Sequence, residues 1–311
     1  MSKIAFIFPG QGAQYIGMGK ELYENIDECK DIFNIADKEL NFELSKLCFE
    51  GETQQLNITE NTQPAILATS IAALMALKKY GIKCDVTAGL SLGEYSALVC
   101  SGAMDFKDAI KLVKKRGRFM QEAVPVGVGT MAAIMGLEAS LVKDACNEAK
   151  DAGIVEIANL NCPGQIVIAG EIAAVELACE KAKEKGAGRA ILLSVSAPFH
   201  CSMLKPAAEK LEVELENINL EDMAIPVMTN VNGDYVKSMD DIKGNLKLQV
   251  MSSVLWETII RNMIKDGVDT FVEIGPGKVL CGFVKKIDRK LTVINIEDMA
   301  SLAKAVEILK K

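Results

Sequence analysis

Hydrophobic positions change period several times along this 311-residue chain, and the changes divide it into three parts. Through about Met120, short apolar runs alternate with longer stretches of helical spacing. Ile4-Ala5-Phe6-Ile7-Phe8 predicts a buried first strand, a helix follows near Met18–Leu22, and Ala65–Tyr80 predicts a long apolar helix. Cys84–Ala88 predicts a strand running into a turn, Glu94–Val99 a helix that Gly102 can end, and Asp105–Gln121 a further helix. The same rhythm returns after position 200. Ala224–Val231 predicts a strand, Leu246–Lys265 is largely helical, and Thr270–Ile274 predicts another strand before Gly275-Pro276-Gly277. Strands alternating with helices in this way predict a parallel sheet covered on both faces.

The middle third has a different order. Gly129–Gly136 predicts a strand, Glu138–Asp151 a helix, Val155–Leu160 and Gln165–Ala169 two strands, Glu171–Lys185 a helix and Ala190–Val195 a strand. That β-α-β-β-α-β succession is the ferredoxin-like arrangement. The expected architecture is therefore α/β: a parallel-sheet large domain, residues 1–125 and 197–311, with a small ferredoxin-like α+β domain, residues 126–196, inserted into it. A cleft between the two would have Ser91 on its floor and His200 where the chain re-enters the large domain.

Composition narrows the function classes. Half of the residues are hydrophobic and a quarter charged, and 42 acidic against 35 basic side chains leave a net charge of -7, which argues against nucleic acid as the main partner. The first apolar run is too short for a signal peptide, and Ala65–Leu77 is too short to span a bilayer, so no membrane association is expected. Nine unclustered cysteines and a single histidine fit reduced thiols in a cytoplasmic protein and give no metal-ligand spacing.

Gly89-Leu90-Ser91-Leu92-Gly93 is a G-x-S-x-G run set between a predicted strand and a predicted helix, the setting of a nucleophile elbow. A serine hydroxyl needs a base to take its proton, usually imidazole. If Ser91 is activated by a histidine, that histidine is His200, because the chain has no other. On the helix from Asp105, the lysines and Arg118 fall on one half of the wheel and the apolar residues on the other; Arg116 falls within the apolar arc. A guanidinium facing a core requires an anion. Two readings stand: a protein carboxylate, or the carboxylate of a ligand.

Phe8-Pro9-Gly10-Gln11-Gly12-Ala13-Gln14, Thr62-Gln63-Pro64-Ala65, Gly89–Glu94, Arg116-Gly117, Asn161-Cys162-Pro163-Gly164-Gln165, His200 and Glu273–Gly277 follow one another in the order seen in malonyl-CoA:acyl carrier protein transacylases, which the chain resembles over its whole length. The resemblance implies an α/β-hydrolase-like large domain and transfer of malonyl from malonyl-CoA, a coenzyme A thioester, to the phosphopantetheine thiol of acyl carrier protein, with no bound cofactor, in support of fatty acid synthesis. It implies Ser91 as nucleophile, His200 as general base, Gln11 and the Leu92 N–H as oxyanion hole, Arg116 as reader of the malonyl carboxylate, and Gln249 as the residue that orients His200 through its backbone carbonyl. Phe199, in Ala197-Pro198-Phe199-His200, is similar to the residue that fills α-methyl space in malonyl-selecting acyltransferases. Leu90 departs from the commonest pattern, which has histidine before the serine.

Three other readings bear on these residues. A serine thioesterase or esterase would use the same Ser91–His200 pair with water as acceptor, and an acyltransferase of polyketide synthesis would carry another acyl group. Gly10-Gln11-Gly12 lacks the third glycine of a dinucleotide loop, with Tyr15 in its place. Lys114, Lys115 and Arg118, with Lys285, Lys286, Arg289 and Lys290, are the expected basic landing site for an acidic carrier protein.

Overall fold

The computed structural model describes residues 2–193, 195 and 197–310. In chain order the first elements are β1 (Lys3–Phe8), α1 (Lys20–Asn25), α2 (Asp27–Leu40), α3 (Leu44–Glu50), α4 (Thr53–Leu56), α5 (Thr59–Lys78), β2 (Val86–Gly89), α6 (Gly93–Ser101) and α7 (Phe106–Glu122). The middle contributes β3 (Gly129–Met135), α8 (Ala139–Glu148), β4 (Val155–Cys162), β5 (Gln165–Glu171), α9 (Ile172–Glu184) and β6 (Arg189–Leu192). The last part holds α10 (Lys205–Glu216), α11 (Met239–Val250), α12 (Trp256–Lys265), β7 (Val268–Ile274), α13 (Val279–Ile287), β8 (Thr292–Ile296) and α14 (Met299–Leu309).

The large unit is built on a parallel sheet in the order β2-β1-β7-β8. Successive side chains of β1 point to opposite faces. Phe6 and Phe8 enter the core shared with α2, α5 and α7, while Ala5 and Ile7 pack with Trp256, Ile260 and Phe283 of α12 and α13. Both faces are dry, which is why β1 reads as an unbroken apolar run rather than an alternating one. Glu273 on β7 is fully buried, and its carboxylate accepts the N–H groups of Leu280 and Cys281 at the start of α13, at 3.1 and 2.7 Å. The Glu273–Gly277 motif thus caps a helix.

The inserted unit is an antiparallel sheet in the order β4-β5-β3-β6, with α8 and α9 on one face. In the unit's own strand order this is 2-3-1-4, the ferredoxin-like arrangement expected from the sequence. Met131, Val167 and Ala169 on the other face join the large core. Its edge strand β4 is tied to the large unit at Val254, whose N–H and C=O pair with Ala158 and Leu160 at 2.8 and 3.0 Å.

Three expected elements need correction. Ala224–Val231 forms no named strand; it makes single bridges, Val227 to Thr87 and Met228 to Tyr235, because it runs beside β2 for too few residues to build a ladder. Leu246–Lys265 is two helices, broken at 251–255, where Val254 instead pairs with β4. The long apolar helix begins at Thr59, not Ala65, and carries Pro64 as its sixth residue, where the ring removes one i to i−4 bond from inside the helix. The expected strand Ala190–Val195 includes Ser194, and the expected boundary at 196 falls on Ser196; both serines lie outside the described residues.

Candidate active site

The turn between β2 and α6 is closed so tightly that only glycine fits at its ends. A Cβ on Gly89 would lie 1.8 Å from the carbonyl carbon of Gly93, and one on Gly93 would lie 2.2 Å from the carbonyl oxygen of Phe8. Ser91 occupies the left-handed region, φ 53°, a conformation that costs an L-residue about 1–3 kcal/mol. Asn230 holds it there. Its Oδ1 accepts the Ser91 N–H at 2.6 Å, and its Nδ2 donates to the Gly89 carbonyl at 2.7 Å.

His200 is the second strained residue of the site, φ 61°. Its Nε2 lies 2.7 Å from Ser91 Oγ and its Nδ1 lies 2.8 Å from the carbonyl oxygen of Gln249. A carbonyl can only accept, so Nδ1 carries the proton and Nε2 is left as acceptor for the serine hydroxyl. Burial, and then the nearby Arg116 charge, push the His200 pKa down to about 4, against the opposing pull of the backbone at Gln249 and Ser252. The imidazole is neutral at pH 7 and able to take a proton.

Arg116 on α7 is 1% exposed. It donates to Gln63 Oε1 and Gln249 Oε1, each at 2.8 Å, and to Ser91 Oγ at 3.3 Å. Its neighbour Gly117 lets α7 approach the start of α5, where a Cβ would come within 2.6 Å of the Thr59 carbonyl oxygen. Every hydrogen-bond partner of the guanidinium is neutral, so it retains its charge for an anion placed beside Ser91. Of the two sequence readings, direct pairing with a protein carboxylate is thereby set aside. Burial lowers the Arg116 pKa, with Tyr95 and Glu94 opposing.

Around the serine, Leu90 N–H donates to Phe8, Ser91 N–H to Asn230, Gly93 N–H to Leu90, Glu94 N–H to Ser91 and Tyr95 N–H to Leu92. Among the described residues, the Leu92 N–H is the donor of this turn with no acceptor in the protein. Gln11 follows β1, and its Nε2 rests on Thr59 Oγ1 at 3.3 Å. Ser91, His200, Arg116, Gln11, Leu92, Phe199 and Leu90 all line one cavity of about 490 Å³. Asn159, Asn161 and Val167 close it from the inserted unit, and Val279, Leu280 and Phe283 from α13. A hydroxyl on a neutral imidazole, a free N–H beside it and an unpaired guanidinium within reach suit acyl transfer to and from an acid-bearing group.

The acyl transferase domain model matches residues 5–305. The chain belongs to the acyl transferase family. This acyl transferase is 53% identical over 312 residues to the malonyl CoA-acyl carrier protein transacylase of Bacillus subtilis (strain 168), covering 100% of this chain and 98% of the relative. It superimposes on the crystal structure of the malonyl CoA-acyl carrier protein transacylase from Clostridium perfringens with a TM-score of 0.97, at 52% identity over 99% of this chain and 98% of that one. A malonyl-transacylase in complex with its type II polyketide acyl-carrier protein matches with a TM-score of 0.96, at 43% identity over 99% of this chain and 100% of that one.

The Cys201 thiol, beside His200 in the chain, donates to the Pro198 carbonyl at 3.1 Å, and burial pushes its pKa up to about 12. Among the described residues no three His, Cys, Asp or Glu side chains gather as a metal site, and no helix is long and apolar enough to cross a membrane. Lys114, Lys115 and Arg118 line a separate groove that also holds Glu39, Glu60, Asp108 and Glu214, so their charge is locally offset. Three contributors to the site escaped the sequence reading as individual residues: Gln63, Asn230 and Glu94. Gln63 and Glu94 sit inside quoted motifs. Asn230 had only the turn-like Thr229-Asn230-Val231-Asn232-Gly233 to mark it.

Proposed function

We propose that this acyl transferase moves malonyl from malonyl-CoA to the phosphopantetheine thiol of acyl carrier protein, through a malonyl-serine intermediate, in the cytoplasm and in support of fatty acid synthesis. The observation that carries the proposal is the juxtaposition of Ser91, a neutral His200 and a buried Arg116 whose hydrogen-bond partners are all neutral. In the first half-reaction Ser91 Oγ gives its proton to His200 Nε2 and attacks the thioester carbonyl. The oxyanion accepts hydrogen bonds from the Leu92 N–H and Gln11. The C–S bond breaks, and the coenzyme A sulfur leaves with the proton held on His200. In the second half the carrier thiol gives its proton to His200 and attacks the serine ester; the C–O bond breaks and Ser91 Oγ is reprotonated.

Arg116 selects the acyl group in this reading. A malonyl carboxylate gives the guanidinium a charged partner, whereas an acetyl group leaves it without one. Phe199 packs where an α-methyl would project. Gln249 keeps the His200 tautomer through its carbonyl. We assign residues 126–196 to a small domain and 1–125 with 197–311 to a large one, the cleft between them admitting the pantetheine arm. Lys285, Lys286, Arg289 and Lys290, on and after α13, are the basic surface assigned to the carrier.

The test is transfer of labelled malonyl from malonyl-CoA to holo acyl carrier protein, run beside a control without carrier. Label on the carrier thiol, with a stable acyl-enzyme in the control, supports the proposal. Rapid loss of label to water in the control favours the thioesterase reading and overturns it.

A further inference from the structure

Glu94 is a buried carboxylate, 2% exposed, that takes no part in the steps above. One of its oxygens, Oε2, accepts two hydrogen bonds: the Asn230 N–H at 3.0 Å and Gln249 Nε2 at 2.8 Å. Each donor leads to the reacting groups. Asn230 uses both ends of its side chain on the turn that carries Ser91. Gln249 turns its amide oxygen to Arg116 at 2.8 Å, donates from Nε2 to the Ser91 carbonyl at 3.0 Å and lends its own backbone carbonyl to His200.

The chemistry of the Gln249 amide fixes the logic. An amide presents an acceptor on one side and two donors on the other. With Glu94 on the donor side, the oxygen must face the guanidinium. The amide then lies between a carboxylate and a cation with its dipole aligned to both, and charge-assisted hydrogen bonds of this kind are about twice as strong as neutral ones. A flipped amide would set NH2 against Arg116, which only donates, and oxygen against Glu94. Burial raises the Glu94 pKa above the ordinary carboxylate value, outweighing the hydrogen bonds of Asn230, Gln249 and Thr229 and the Arg116 charge, which act the other way.

We infer that Glu94 is a positioning residue for acyl selection: through the Gln249 amide it holds Arg116 in the pose that reads an acyl carboxylate. This rests on the malonyl reading of Arg116 given above. Glu94 acts on Arg116 through Gln249, without contact with substrate.

The test compares single-turnover acylation of the intact chain by malonyl-CoA and by acetyl-CoA in wild type, Glu94→Gln, Arg116→Ala and the double variant. Glu94→Gln retains shape and removes charge. It is expected to lower the malonyl-to-acetyl rate ratio about tenfold, with the acetyl rate changing much less. In the Arg116→Ala background the same substitution should leave the ratio unchanged, since the group it positions is gone. Equal losses for both substrates in Glu94→Gln, or the same drop in ratio with and without Arg116, would overturn the inference, because a role in folding alone does not distinguish acyl groups. Should Glu94→Gln not fold, Glu94→Asp, which keeps the charge but draws the oxygen away from Gln249, is expected to lower the ratio several-fold, and a wild-type ratio would overturn the inference. A wild type that takes no malonyl on Ser91 fails at the earlier step, and so marks failure of the malonyl reading itself.

Discussion

His200 should work as a base well below the pH at which an ordinary histidine is lost. Burial and the Arg116 charge set its pKa near 4. At pH 5 an imidazole of pKa 6.5 would be only ~3% neutral, while one of pKa 4 is ~90% neutral. Lowering the pH from 7 to 5 should therefore slow Ser91 acylation by less than about twofold, where an unperturbed base would slow it roughly 25-fold. The assay is the rate of malonyl-serine formation by rapid quench and intact mass at sub-saturating malonyl-CoA, where the profile reports the free enzyme. Arg116→Ala removes a neighbouring cation and should move the acid limb upward. Saturating malonyl-CoA should do the same in wild type, since its carboxylate offsets the guanidinium. A free-enzyme limb near 6.5, or one unmoved by Arg116→Ala, would refute the reasoning. Stability follows with a definite sign: above pH 6.5 the histidine is neutral in both states, and below it the unfolded chain gains a proton that the folded one refuses. The fold should lose roughly 3 kcal/mol from this group between pH 6.5 and 4.

Other substitutions probe the support of the site. Asn230→Ala leaves the Ser91 N–H and the Gly89 carbonyl buried without partners, at about 1–3 kcal/mol each, so Tm by scanning calorimetry should fall by roughly 3–9 °C; a change of less than about 1 °C would show that the strained turn does not depend on it. Gly93→Ala drives a methyl into the Phe8 carbonyl and should yield insoluble chain or a fall in Tm beyond that of Asn230→Ala. Phe199→Ala opens the cavity beside His200 and should raise the rate with methylmalonyl-CoA relative to malonyl-CoA, within the roughly 10–200-fold that one methyl can be worth; an unchanged ratio would remove Phe199 from selection.

What could be read in the sequence depended on whether a signal was local. The apolar run at Ile4–Phe8 and the glycines around Ser91 express strand burial and turn closure within a few residues, and the structure places both as expected. Arg116 was legible because one residue out of phase on an otherwise regular helix is itself a local signal. Ala224–Val231 was over-read: its composition suits a strand, but tertiary placement gives it only bridge contacts. The break at 251–255 was hidden for the converse reason, since Val254 leaves helical geometry to satisfy β4, nearly a hundred residues earlier. Asn230 and Glu94 were invisible as a pair because their hydrogen bond joins residues 136 positions apart. No periodicity in the chain encodes that contact.

The most direct measurement of the central claim is intact mass after brief mixing with malonyl-CoA, on wild type, Ser91→Ala and Arg116→Ala, with acetyl-CoA in parallel. The expected result is a single malonyl adduct on wild type, none on Ser91→Ala, and loss of the malonyl preference in Arg116→Ala. A malonyl adduct that persists in Ser91→Ala, or a malonyl preference that survives without Arg116, would contradict the assignment of nucleophile or carboxylate reader.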